Sequence, residues 1–182
     1  MTTTNAALNG HGASGYIPAS LLGLAKNHPR FREALYADLK PNMAKDFKLP
    51  LTTCSNIWQF HFANKDIFGT YFKSGSSILS QPAIKAVLDN GGTMGGRGAP
   101  KDFPLYIFKG TADEIVPTIQ ETDALVSGYC AGGSRITYVR YAGGTHSSTQ
   151  QAGADDALTF VFNILDGGAG PVACSTRTVN SE

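Results

Sequence analysis

The sequence lacks a hydrophobic run long enough to cross a membrane, because none of its stretches approaches the roughly 18 consecutive apolar residues that a spanning helix needs. An excess of one charge is also missing: the 182 residues include 15 Lys and Arg against 14 Asp and Glu, a net charge of +1. Nucleic-acid recognition requires a basic excess on one face, so no nucleic-acid partner is expected. The 21 glycines follow no Gly-x-y period, which excludes a collagen-like chain.

The N-terminal residues lack the features of a secretory leader. Met1–Asn5 carries no charged side chain, and no apolar run of about 7–15 residues follows it, so we expect no signal peptide here. Cysteine is scarce as well, and Cys54, Cys130 and Cys174 lack the C-x-x-C spacing of a zinc or redox site. An odd number leaves at least one thiol unpaired within the chain, and three buried free thiols remain an open interpretation.

The pattern of predicted secondary structure changes near residue 98. Residues 1–98 predict short helices, an aromatic cluster between Leu49 and Phe72, and a linker in the segment 91–100, where five of ten residues are glycine. That segment has no G-K-[ST], so it predicts no phosphate loop, and we expect no cofactor. Residues 99–182 predict alternating strands and helices, which indicates a parallel α/β unit.

Two strands and two helices carry this α/β prediction. Pro104–Phe108 is a nearly continuous apolar run, and Arg135–Tyr141 is rich in β-branched and aromatic residues. Between them, Thr118–Glu121 has the pattern of a capping box at a helix start. A second helix is indicated by apolar residues at i, i+3, i+4 and i+7, namely Leu158, Val161, Phe162 and Leu165.

One acid and one histidine follow these two predicted strands. Asp113 comes directly after the first strand and His146 directly after the second. Reactive groups gather at the carboxyl ends of parallel strands, so we expect a hydrogen bond between the two side chains. The order Asp then His is that of the triad in α/β-hydrolases. The alternatives are that Asp113 is an ordinary acid before a helix and that His146 is a solvated loop residue. The other histidines indicate surface, capping or packed positions: His11, His28 and His61.

The nucleophile of such a triad is missing from the sequence. A nucleophile elbow needs G-x-S-x-G, because only small residues tolerate its strained turn. Ser14, Ser77 and Ser134 each have a glycine two residues before them, but none has a glycine two residues after.

The chain resembles the fungal secretory lipase family. The most specific shared motif is D-E-I-V-P at Asp113–Pro117, joined by Phe103-Pro104, Tyr129–Gly133 and His146. A looser similarity to that family's helical cap is carried by Leu8-Asn9-Gly10, the helix at 15–25 and His28-Pro29. The resemblance implies the C-terminal part of an α/β-hydrolase domain at 99–182, preceded by a helical cap, or lid, at 1–98.

The resemblance also implies the roles of particular residues. Asp113 would be the triad acid, His146 the triad base, and Cys130 and Cys174 a disulfide, with Cys54 left free within this chain. It implies a secreted carboxylic ester hydrolase, similar to triacylglycerol lipases, with a lipid or acyl-ester substrate and a cap that contacts a lipid interface. Because the serine half is missing, we expect a truncated chain that is inactive alone. The alternatives are a non-catalytic remnant with a lipid-binding cap and a deacetylase of a fungal metabolite.

Overall fold

The structure is a computed structural model, which describes residues 2–90 and 98–180. The chain divides into two compact units, residues 1–96 and 97–182. The predicted glycine-rich linker lies mostly outside the described residues. No helix in the described part of the chain is long and apolar enough to cross a membrane.

The first unit is built from helices. Their bounds are α1 Thr2–Leu8, α2 Tyr16–Asn27, α3 Pro29–Asp38, α4 Ala44–Phe47, α5 Ser55–Phe62, α6 Ile67–Tyr71 and α7 Pro82–Asn90, with 3-10 helices at Leu49–Leu51 and Gly75–Ser80. The predicted aromatic cluster supplies much of its core: Phe47 packs edge-on against Phe72, and Phe62 packs edge-on against Tyr71. All four rings are buried, and aromatic pairs in this geometry stabilise a core beyond the area that they bury.

The second unit is a parallel sheet with helices on both faces. Its elements are β1 Leu105–Gly110, α8 Ile119–Ala131, β2 Ile136–Ala142, α9 His146–Leu165 and β3 Ser175–Asn180, and the described strands follow the order β1-β2-β3. Both pairings are parallel, with Leu105 opposite Ile136 and Thr137 opposite Ser175. The predicted α/β unit is therefore present, and β3 adds a strand that the sequence analysis did not predict.

The two helices cover opposite faces of the sheet. Val126 and Tyr129 of α8 pack with Ile136 and Tyr138, and Leu105 and Ile107 border this cluster. On the other face, α9 approaches β1 closely through Gly153, where an added Cβ atom would lie 2.5 Å from the ring of Phe108. A side chain at this position would push α9 away from the sheet.

Two predicted local features differ from the structure. Thr118 precedes α8, but its side chain makes no capping hydrogen bond, so the predicted capping box is wrong. The helix predicted from the apolar stripe is present as α9, yet that stripe is exposed and does not face a core. Its members are exposed by 48–73%: Leu158, Val161, Phe162 and Leu165.

A disulfide ties the end of the second unit to α8. Cys130 and Cys174 are bonded, with their Cα atoms 5.9 Å apart, and Cys54 is free and exposed. The predicted pairing is confirmed. The bond holds the segment before β3 against the helix that covers the sheet.

We expect the disulfide to contribute strongly to stability. In the chain-entropy model, closing a loop with a sequence separation of 44 stabilises the fold by about 4 kcal/mol. The double variant C130S/C174S should therefore lose about 3–4 kcal/mol of unfolding free energy in urea titrations. The control C54S should change it by less than about 0.5 kcal/mol, because Cys54 is exposed. Equal stabilities of the double variant and the wild type would contradict this expectation.

Candidate active site

The two residues singled out in the sequence lie together at one edge of the sheet. Because β1 and β2 are parallel and Gly110 pairs with Tyr141, both strands end at the same edge. Asp113 lies in the loop after β1, and His146 follows β2 as the first residue of α9. The imidazole Nδ1 of His146 lies 3.1 Å from Oδ1 and 3.2 Å from Oδ2 of Asp113. The acid is buried, whereas the imidazole is about half exposed.

Backbone hydrogen bonds fix the two loops to each other. The amide of Thr111 donates to the Tyr141 carbonyl at 3.0 Å, and that of Ala112 donates to the Gly144 carbonyl at 3.0 Å. The amide of Gly143 donates to the Thr111 hydroxyl at 2.8 Å. Gly110 permits this approach, because an added Cβ atom would lie 2.2 Å from the Gly144 carbonyl oxygen. The separation of the acid and the histidine is therefore set by the backbone.

His146 occupies the first turn of α9, where two groups hold it. Thr145 and Ser148 form a reciprocal capping box, the arrangement predicted wrongly for α8. The carboxylate of Glu114 accepts a hydrogen bond from the His146 backbone amide at 3.0 Å. This bond lowers the pKa of Glu114. The adjacent acids Asp113 and Glu114 therefore bind the ring and the backbone of the same histidine.

Asp113 receives hydrogen bonds on both oxygens. The backbone amides of Ile115 and Val116 donate to Oδ1 at 3.1 and 2.8 Å. The ammonium group of Lys109 donates to Oδ2 at 2.8 Å. Burial raises the pKa of Asp113, but the bonds from Lys109, Val116 and His146 outweigh it, and the pKa lies below its ordinary value. The carboxylate is thus ionised at neutral pH.

This arrangement can hold and move a proton. The ionised Asp113 only accepts hydrogen bonds, so Nδ1 of His146 carries the proton that joins them. The neutral ring then has its lone pair on Nε2, which is the nitrogen that can act as a base. Sequence reasoning identified both residues but missed Lys109 and Glu114. Two features of the sequence could have identified them: Glu114 directly follows Asp113, and Lys109 lies inside an otherwise apolar strand.

The other histidines and the candidate serines lie elsewhere. His61 bonds to Asp46 through Nε2 at 2.8 Å and packs against a phenylalanine ring. The hydroxyl of Ser14 donates to two backbone carbonyls of its own unit, and that of Ser134 donates to the Pro100 carbonyl. Ser77 is exposed in the second 3-10 helix. None of these serines stands on a strand-to-helix turn.

One small cleft borders the Asp113 side of the pair formed by Asp113 and His146. A cleft of about 290 Å³ borders Asp113 and the start of α8. A larger groove of about 740 Å³ lies between α3 and α7 and contains neither residue of the pair, so its size does not mark the chemistry. Among residues 2–90 and 98–180, no cluster of three or more His, Cys, Asp or Glu side chains is arranged to hold a metal ion.

Comparison with known proteins gives consistent results. The family described as Secretory lipase matches residues 1–170. The chain is 33% identical over 181 residues to Lipase A of Arthroderma benhamiae, which covers 98% of this chain and 38% of that protein. It is 37% identical over 155 residues to the Trichothecene C-3 esterase of Fusarium sporotrichioides, which covers 80% of this chain and 33% of that protein.

A solved structure shares the fold. Candida antarctica lipase A superposes with a TM-score of 0.87 at 24% identity, over 97% of this chain and 42% of that one. The predicted fold class, part of an α/β-hydrolase fold, is therefore confirmed. The chain spans about two fifths of the length of this structure and of Lipase A.

The lowered pKa of Asp113 predicts a pH-dependent contribution to stability. A carboxyl group with a depressed folded pKa stabilises the fold above its unfolded pKa of about 3.9, and this contribution is lost as the pH falls through the folded value. Asp113→Asn should therefore destabilise the protein at pH 6–7, by about 1.5–3 kcal/mol for lost charged hydrogen bonds. The difference from wild type should shrink toward pH 2.5.

Urea unfolding of both proteins across this range measures the difference. The matched control is Asp155→Asn, which removes an exposed carboxylate on α9 and should change stability little at any pH. A difference between wild type and Asp113→Asn that is the same at pH 7 and pH 2.5 would refute the coupling.

Proposed function

Because the chain belongs to the secretory lipase family, we propose that it carries the acid and the base of a secreted carboxylic ester hydrolase, in the manner of a triacylglycerol lipase. The observation behind this proposal is the hydrogen bond between Asp113 and Nδ1 of His146 at the carboxyl edge of the sheet. This hydrogen bond leaves Nε2 unprotonated, so that Nε2 can take a proton from a hydroxyl nucleophile.

The proposed reaction divides its roles between these two residues. A serine hydroxyl attacks the ester carbonyl while His146 takes its proton, and His146 then gives that proton to the leaving alcohol as the ester C–O bond breaks. A water, deprotonated by His146, then attacks the acyl-serine, and His146 returns the proton to the serine as the carboxylic acid leaves. Asp113 orients the imidazole and stabilises the imidazolium that forms. The 182 residues contain no G-x-S-x-G, so we propose that a serine outside them completes the triad and that the chain alone is inactive.

A chimera tests this proposal. The matching segment of Arthroderma benhamiae Lipase A is replaced by this chain, and hydrolysis of p-nitrophenyl esters is measured. His146→Ala should reduce kcat by about 10⁶-fold and Asp113→Asn by about 10⁴-fold, the losses typical of triads. His61→Ala, which removes a histidine also paired with an aspartate, should stay within about tenfold.

Circular dichroism and urea unfolding establish that each chimera is folded. A folded, active chimera that retains its activity after His146→Ala would refute the assignment. The chain alone should show no turnover, and hydrolysis by the chain alone that is lost with His146→Ala would refute the requirement for an external serine.

A second candidate is an esterase that removes an acyl group, such as acetyl, from a fungal metabolite. It is favoured by the 37% identity to a protein named Trichothecene C-3 esterase, compared with 33% to Lipase A and 28% to Lipase 5 of Candida albicans. The same chimera, assayed on acetyl, butyryl and palmitoyl esters, separates the two: a lipase prefers the long acyl chain and a deacetylase the short one. A non-catalytic remnant predicts no His146-dependent turnover on any ester.

We further propose that the helical unit is a cap that contacts a lipid interface. Phe60 is 85% exposed and Ile57, on the same face of α5, is 50% exposed, while Leu51 in the preceding 3-10 helix is 57% exposed. Large apolar side chains that are exposed together on one face, unlike single ones, are typical of surfaces that bind lipid or another protein.

Vesicle sedimentation tests the cap proposal. The wild-type chain should bind phosphatidylcholine vesicles, and I57S/F60S should reduce the bound fraction several-fold, because roughly 1.5–3 kcal/mol is associated with burying each large apolar side chain. Val172→Ser, which removes an apolar residue that is 93% exposed in the other unit, is the matched control. Equal binding of wild type and I57S/F60S would refute the proposed contact.

A further inference from the structure

Lys109 is a cation inside an otherwise apolar strand. It follows Leu105–Phe108 in β1, on the face that α8 covers, and its side chain is only 11% exposed. An ammonium group loses hydration when it is buried, so a lysine in this environment requires a strong partner. The contacts of Lys109 identify that partner.

The ammonium group of Lys109 bonds to two acceptors in the loop that carries Asp113. It donates to Oδ2 of Asp113 at 2.8 Å and also to the backbone carbonyl of Val116. Asp113 is itself only 8% exposed, so solvent screens this pair weakly. Lys109 thereby joins the C-terminal end of β1 to both ends of the segment 113–116.

The two oxygens of Asp113 share the imidazole Nδ1 of His146, at 3.1 and 3.2 Å, but their other partners differ. Oδ1 accepts from the backbone amides of Ile115 and Val116. Oδ2 accepts from Lys109. Donors on both oxygens fix the rotation of the carboxylate about its bond to the side chain, and this rotation decides whether it faces the imidazole.

We infer that Lys109 is a positioning residue for the Asp113–His146 pair, holding the carboxylate ionised and turned toward Nδ1. This inference rests on the proposed acid–base function, to which it adds a third side chain. The hydrogen bonds of Lys109 go to Asp113 and Val116 and not to the imidazole, so Lys109 acts through Asp113. The lowered pKa of Asp113 agrees with it, because the bond from Lys109 is the largest of the effects that lower it.

NMR of the full 182-residue chain tests the inference without a requirement for turnover. The carboxyl carbon of Asp113 is titrated by ¹³C detection, and the tautomer of His146 is measured from its ring ¹⁵N shifts at pH 8.5. Lys109→Met should shift the Asp113 midpoint upward and convert His146 from the Nδ1–H form to a mixture of tautomers. Lys109→Arg keeps the charge and should retain the low midpoint.

The matched control is Lys85→Met. Lys85 also pairs with an aspartate four residues later, but that pair is exposed and lies in the other unit. This variant should change neither readout. If Lys109→Met leaves both the midpoint and the tautomer unchanged in a folded chain, the inference is refuted. If wild-type His146 shows no preference for the Nδ1–H form, the proposed acid–base function fails as well, so the two failures are distinguishable.

A further measurement covers the case in which Lys109→Met does not fold. In the wild type, an ammonium group held by Asp113 should give a protected ¹⁵N–¹H signal for Lys109 at pH 6 and 5 °C, which disappears when Asp113 is protonated. A Lys109 signal that exchanges as fast as that of Lys85 would overturn the inference.

Discussion

The parallel pairing of β1 with β2 is the constraint on which the rest of the second unit depends. Its register places Gly110 opposite Tyr141, so both strands end at one edge, and the loops that follow must run side by side. A shift of one residue would exchange the two faces of a strand. It would move Lys109 from the α8 face to the α9 face and separate it from the loop that it bonds to.

Buried charge at this edge is balanced within a few residues. Asp113 is buried, and its negative charge is offset by a buried cation, two backbone amides and an imidazole N–H. Glu114, which is exposed, takes the backbone amide at the start of α9. One short loop thereby satisfies polar groups on β1, on α9 and on its own backbone. The free energy that is lost on burying these charges is recovered only when all of the partners are present.

Much of the site followed from local sequence, because a residue that comes just after a buried strand has its place fixed by that strand. Asp113 and His146 were found in this way. Lys109 was missed because its role depends on the reach of a flexible side chain, which sequence spacing does not describe. β3 was missed because S-T-R-T-V-N has a single apolar residue and is mostly exposed. Propensity therefore gave little signal for it.

The capping box shows a second limit of sequence patterns. Thr118 and Glu121 have the expected spacing, but Thr118 has φ −123° and ψ 38°, outside the extended conformation typical of a capping residue. At α9 the same function is performed by Thr145 and Ser148, a pair without the glutamate that the pattern requires. Side-chain capping depends on how the chain enters the helix, and the strand before α9 determines that entry.

The bond between Cys130 and Cys174 has a consequence for self-association. β3 is the edge of the described sheet, it is mostly exposed, and the disulfide anchors the segment directly before it. Without that anchor, β3 is retained by its backbone ladder with β2 and by the exposed ion pair of Arg177 with Asp156 of α9. Fraying of β3 uncovers a row of unpaired amides and carbonyls on β2, whose apolar side chains are buried. Such an edge is a template for strands of other molecules. Oxidation of one pair of thiols therefore favours the state in which β3 covers the backbone groups of β2.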